Sequence, residues 1–171
     1  MPVPPLALEL ENRSLGPHGA PTLYAAYEAL LDAWRSGDRD RELALHLFFL
    51  AWYVVVEPPH LTGAQGGQVD AEAAVILRAM DAHLLPDAES SEDAEALYVI
   101  GLAALMFPWV FCCGDELRTA RDCEQRWIDR SARYRRRYRE LRPNGIDPSV
   151  FEGRGAFGDY YAGQAGVQGG N

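Results

Sequence analysis

The sequence predicts an all-α protein, a compact helical bundle of about five helices. Three observations carry this. Proline, glycine and short polar caps bracket five stretches, apolar residues within them recur at helical spacing or fill every side, and no stretch alternates long enough to make a strand.

Pro21-Thr22 opens the first helix, Leu23, Tyr27, Leu30, Leu31 and Trp34 share one of its faces, and Ser36-Gly37 closes it. Asp38 or Asp40 starts the second, which runs to Val56 and stops at Pro58-Pro59. Its apolar residues lie on all sides, which marks it as the most buried element. Residues 61–68 read as a flexible loop. Asp70 caps a third helix over 71–85, with Val75, Ile76, Ala79, Met80 and His83 on one face, and Pro86 ends it. Ser90 and Asp93 fit a capping box for a fourth helix that reaches about Cys113, kinked near Pro108. Asp115 caps a fifth that ends at Arg142, before Pro143. The first four helices also suggest two pseudo-repeated hairpins about 50 residues apart, since Asp32-Ala33-Trp34 matches Asp81-Ala82-His83 and Glu42 matches Glu95. Residues 1–20 then form an extended N-terminal segment and 21–142 a single helical domain. Residues 143–171 form a Gly/aromatic-rich tail, docked to about residue 161 through Phe151, Phe157 and Tyr160 and flexible beyond.

Composition excludes several functions. The 171 residues carry 25 acids and 16 bases, a formal charge of −9, and every base is arginine. Without lysine there is no Schiff-base chemistry and no P-loop lysine. The acidic total disfavours nucleic acid and anionic membranes as partners. The uncharged run 97–113 has 17 residues, at the lower edge of a membrane span of ~20 residues, and its Pro108 favours a bundle helix instead. Nothing at the N-terminus resembles a secretory signal, and Cys112, Cys113 and Cys123 read as reduced, partly buried thiols. The expected location is cytoplasmic.

Charge is segregated. Residues 1–114 total −11, residues 115–142 total +4 with ten of the sixteen arginines, and the rest totals −2. The fifth helix carries an apolar stripe of Leu117, Ala120, Trp127, Tyr134, Tyr138 and Leu141, interrupted at Glu124, and an arginine face opposite. Guanidinium groups fork carboxylates and stack on aromatic rings, so Arg130, Arg133, Arg136, Arg137 and Tyr134 are candidate contacts for an acidic protein partner. A homodimer is compatible with the same asymmetry.

Catalytic signatures are absent: no glycine-flanked serine elbow, no cysteine motif and no ligand-spaced histidine pair. Glu57-Pro-Pro-His60 has a metal-like spacing, but two prolines remove the helical geometry and no second pair supports it. His46, within an apolar run, reads as a hydrogen-bonded core residue. No metal or cofactor is expected. The sequence therefore favours a non-enzymatic interaction protein of adaptor, inhibitor or immunity type. The alternative is a small-ligand-binding protein or enzyme whose site lies where the 57–62 loop and the 151–160 segment meet. Glu57, His60, Trp109, Arg154, Asp159 and Tyr160 would form that site.

Overall fold

The computed structural model describes residues 3–16, 18–64 and 69–168. Among them the chain is all-helical with no strand, and eight α-helices replace the five expected. They are α1 (Pro5–Arg13), α2 (Leu23–Arg35), α3 (Arg41–Val56), α4 (Pro59–Thr62), α5 (Val69–Leu84), α6 (Ala94–Met106), α7 (Leu117–Leu141) and α8 (Gly155–Gln168). Two 3-10 turns, Pro108–Cys112 and Pro148–Phe151, precede α7 and α8.

The centre is built on α3 and α6. Every residue from Leu43 to Trp52 is buried, as is every residue from Ala96 to Ala104. Asp40 caps α3 by accepting the Glu42 N–H at 2.9 Å, and Pro58, two residues past Val56, stops continuation. Asp93 does the same for α6, accepting the Ala96 N–H at 3.0 Å. The capping box expected of Ser90 is not formed, because its hydroxyl donates to Asp87 instead. Pro108 does not kink a continuous helix either; α6 ends at Met106 and the chain turns into a separate 3-10 segment.

Around this pair, α2 and α5 pack on α3, while α7 lies along α6. The α6–α7 approach is close at Gly101, where a Cβ would stand 3.2 Å from Cβ of Tyr134. The inner face of α7 is Cys123, Trp127, Ser131, Tyr134 and Tyr138, so Cys123 fills the gap that the sequence placed at Glu124, and Ser131 fills the step between Trp127 and Tyr134. The side chains of Leu117 and Arg118 lie outside the described residues. The inner face of α5 is also rotated from the expected one: Ala73, Ala74, Leu77, Met80 and Asp81 are buried, and Val75 is exposed.

The ends of the chain depart furthest from expectation. Residues expected to be extended form α1, with Pro5 opening it, since a proline needs no N–H partner in a first turn. The tail expected to be flexible beyond residue 161 continues as α8 to Gln168, with Phe157, Tyr161 and Ala165 buried. Of the expected 61–68 loop, Leu61 and Thr62 complete α4, and 65–68 lie outside the described residues, as do 169–171.

Cys112 and Cys123 are joined in a disulfide, correcting the reading of three reduced thiols; only Cys113 is free. The 3-10 turn places Cys112 one turn before the buried side of α7, with the two Cα atoms 6.0 Å apart. Beside it the Phe111 and Trp127 rings stack at 4.0 Å. No helix among the described residues is long and apolar enough to cross a membrane. The disulfide spans 11 residues of sequence, for which loop closure in the unfolded chain gives a stabilisation of about 3 kcal/mol. Cys123→Ala, or reduction with a dithiol, should lower the unfolding free energy obtained from urea titration by about that amount without changing the helical circular-dichroism spectrum.

Candidate functional site

A buried charge cluster joins the two ends of the chain to the central helices. Glu11 on α1 is completely buried, and its Oε1 lies 2.6 Å from Nδ1 of His46 on α3, itself 1% exposed. Its Oε2 accepts the backbone N–H of Phe157 at 3.1 Å. A carboxylate from α1 thus satisfies a free N–H in the first turn of α8, where the helix dipole also favours negative charge. Gly155 makes this approach possible: its φ is +63°, and a Cβ there would stand 2.9 Å from Cβ of Glu11.

On its other side, His46 Nε2 lies 3.3 Å from Oε1 of Glu42. Arg154 then grips Glu42 with two hydrogen bonds of 2.6 Å, donates to Glu95 on α6, and lies over the Phe157 ring at 4.7 Å. Arg41 extends the cluster to Glu95 at 2.9 Å and forks Asp93 with two bonds of 2.7 Å. Burial opposes a charged His46, but Glu11 and Glu42 outweigh it and hold the imidazole above its ordinary value of 6.5. Burial likewise opposes a charged Glu42, yet His46 and Arg154 hold its carboxyl at about 2. His46 is therefore the hydrogen-bonded core residue that its surroundings in sequence suggest. Arg154, in contrast, is engaged by the carboxylates of this cluster.

A second group of charges lies between α5 and α7. Asp81, 2% exposed, accepts the Tyr134 hydroxyl at 2.6 Å and pairs with Arg130 at 2.9 Å. Burial pushes its carboxyl up, and Tyr134 and Arg130 only partly offset this. Next to the trio opens a cleft of about 530 Å³, lined by Arg78, Asp115, Cys123, Arg126, Trp127, Asp129 and Arg133 together with Asp81 and Arg130. Arg130 lies 5.2 Å over the Trp127 ring. Of the arginine-face candidates, Arg130 and Arg133 line this cleft, and Arg136 is exposed further along α7. Arg137 is half-buried, donating to Ser91 O and Glu140. Tyr134 is buried with its hydroxyl committed to Asp81, so it has no surface to offer a partner.

A separate cleft of about 430 Å³ lies where residues 14–16, α2, α4 and α8 approach the end of α3. Phe49, Tyr53 and Tyr160 form its aromatic wall, and His60, Leu61 and Asp159 stand on its rim. Three of the six ligand-pocket candidates, His60, Asp159 and Tyr160, therefore meet here. Glu57 acts on it from nearby: burial, Tyr53 and Glu57 together push the Tyr160 phenol up to about 12. Trp109 is exposed on the 3-10 turn before α7 and does not line it.

Among the described residues, no three His, Cys, Asp or Glu side chains are grouped to hold a metal ion. No histidine there bonds a serine or cysteine: His46 faces carboxylates and His83 the Arg39 carbonyl. Comparison with protein-family models, with curated proteins and with solved structures yields no match.

Sequence reasoning missed Glu11, Glu42, Glu95 and Asp81 as partners in these clusters. Only Glu42 and Glu95 left a signal, each standing two residues after an aspartate N-cap.

The charge cluster sets a pH window. Glu42 titrates below its ordinary value of 4.5, so its contribution is complete above that pH and is lost as pH falls towards 2. His46 titrates above 6.5, so its contribution is complete below that pH and is lost as pH rises through the raised value. Urea unfolding across pH should show greatest stability between about 4.5 and 6.5. Glu42→Gln should flatten the acid limb by on the order of 2 kcal/mol, and His46→Gln should flatten the alkaline limb.

Proposed function

We propose that this is a non-enzymatic binding protein that docks an acidic surface of a partner protein along the arginine face of α7, as an adaptor, inhibitor or immunity-type protein does. One observation carries the reading. Arg126, Arg133 and Arg136 are exposed and have no carboxylate partner among the described residues, in a chain that carries 25 acids. Intramolecular neutralisation accounts for Arg130 and Arg137 but not for these three.

The neighbouring cleft supports the same reading. Its Trp127 is fixed by stacking on Phe111 and by the disulfide at Cys123, and its Arg130 is fixed by Asp81. An arginine held rigidly beside a cleft is among the side chains that dominate interface energies. An acidic protein fits better than nucleic acid, because the field of a chain at −9 repels a polyphosphate at long range. The disulfide favours an oxidising compartment over the reducing cytoplasm as the place of meeting. The two-hairpin repeat belongs to this reading as well, supported by the matching Asp40–Glu42 and Asp93–Glu95 pairs at the starts of α3 and α6.

Carboxyl-reactive dihydrazide cross-linking in native lysate, chosen because the chain has no lysine, followed by mass spectrometry tests the proposal, with the triple charge reversal Arg126→Glu, Arg133→Glu and Arg136→Glu alongside. The expected result is an acidic protein cross-linked to α7 in the wild type, resistant to nuclease, weakened by salt, and lost from a normally folded triple variant. A partner retained by that variant, or one removed by nuclease, overturns it. Cross-links only between copies of this chain assign the face to self-association instead.

A further inference from the structure

The aromatic cleft beside α8 has a chemistry of its own. Tyr53 and Tyr160 meet at 76° with ring centroids 5.9 Å apart, and Phe49 stands behind both, at 5.1 and 5.6 Å. Three rings in this arrangement make a corner, and a ring face carries the negative end of its quadrupole. The fixed charges around the corner are also negative. Asp159 lines the cleft, and Glu57 lies close enough to raise the phenols of both Tyr53 and Tyr160.

Neither carboxylate has an arginine partner among the described residues, and no arginine lines the cleft. The chain supplies no lysine to fill it. His60 is the one basic side chain on the rim. Elsewhere in the molecule several part-buried or buried acids are answered by guanidinium groups, as Glu42 and Glu95 are by Arg154 and Asp81 is by Arg130. The acidic aromatic corner alone, among the clefts described, is left for a cation from outside.

We propose that this cleft binds a small organic cation of the methylated-ammonium class, with the charged head against Tyr53 and Tyr160 and within the field of Asp159 and Glu57. A methylated ammonium is weakly hydrated, so it exchanges water for ring faces at small cost, whereas a strongly hydrated inorganic ion needs oxygen ligands in a shell. No such shell is gathered among the described residues. The volume, about 430 Å³, lies in the range of small-molecule clefts, roughly 300–1,000 Å³. The site shares no lining residue with the arginine cleft, so it stands or falls independently of the partner reading.

The test is calorimetric titration of the full chain with choline chloride and, in parallel, with 3,3-dimethylbutan-1-ol, which has the same shape without the charge. Choline should bind roughly three- to thirty-fold more tightly than its neutral isostere, the range a cation–π contact supplies. Asp159→Asn, on an exposed side chain, should weaken choline several-fold and leave the isostere unchanged, and Tyr160→Leu should abolish the preference for charge. Since Tyr160 also packs on Trp52, Asp159→Asn keeps the test valid if Tyr160→Leu fails to fold. Equal affinity for the two probes, binding of the alcohol alone, no choline binding at the ~10 mM level, or choline binding indifferent to Asp159→Asn each overturn the proposal.

Discussion

The Arg154–Glu42 ion pair, with Glu95 and the His46–Glu11 contact on either side of it, is the interaction on which the rest of the arrangement depends. It takes one residue from each of α1 and α6, two from α3 and one from the turn before α8, and joins them in one chain of contacts that runs from the buried Glu11–His46 pair to the part-exposed Glu42 and Glu95. Buried charge costs several kcal/mol per ion unless each group finds a partner with good geometry. Here each does: Arg154 is forked by Glu42, and Glu11 divides its two oxygens between an imidazole and a backbone N–H. The aromatic cleft inherits its form from this cluster, because the cluster holds α8 against α3 and so brings Tyr160 to Tyr53.

The second constraint is the double duty of α7. Its inner face is a packed series from Cys123 to Tyr138, anchored by the disulfide, by Ser131 bonded to Gly101 O at 2.8 Å, and by Tyr134 on Asp81. Its outer face is free to carry arginine because the inner face alone fixes the helix. Asp81 links the two: one carboxylate accepts from the buried tyrosine and neutralises a rim arginine, so burial on one side positions charge on the other.

Much of the fold was legible, where local chemistry settled the conformation. Asp40 before an apolar run and Pro58 after it delimit α3 without help from the rest of the chain, and Leu23 to Arg35 reads as an amphipathic helix in any context. The terminal helices were hidden because their stability is not local. The α8 sequence contains four glycines, each costing up to about 1 kcal/mol in a helix, and it folds because Phe157, Tyr161 and Ala165 are buried against the bundle. Glu11 was illegible for the same reason: its partners lie 35 and 146 residues away. The stripe on α7 was misjudged at Cys123 and Ser131, whose polar atoms are satisfied only by Cys112 and Gly101. Of the residues that line the aromatic cleft, His60, Asp159 and Tyr160 could be named together from sequence because they sit on the two segments expected to approach each other. Phe49, inside an apparently featureless apolar run, was not singled out.

The cations of α7 are of one chemical kind, and that has a consequence for control. Arginine keeps its proton throughout the physiological range, so acidification cannot switch this face off. Acetyl transfer to a side-chain amine cannot neutralise it either, because the chain has no lysine to accept the group. Ionic strength does act on it, shortening the reach of a surface charge from ~10 Å at 0.1 M to ~3 Å at 1 M. On the proposed reading, a helix whose only cations are arginine would hold a partner with a strength graded by the surrounding salt and by the acidity of whatever lies against it.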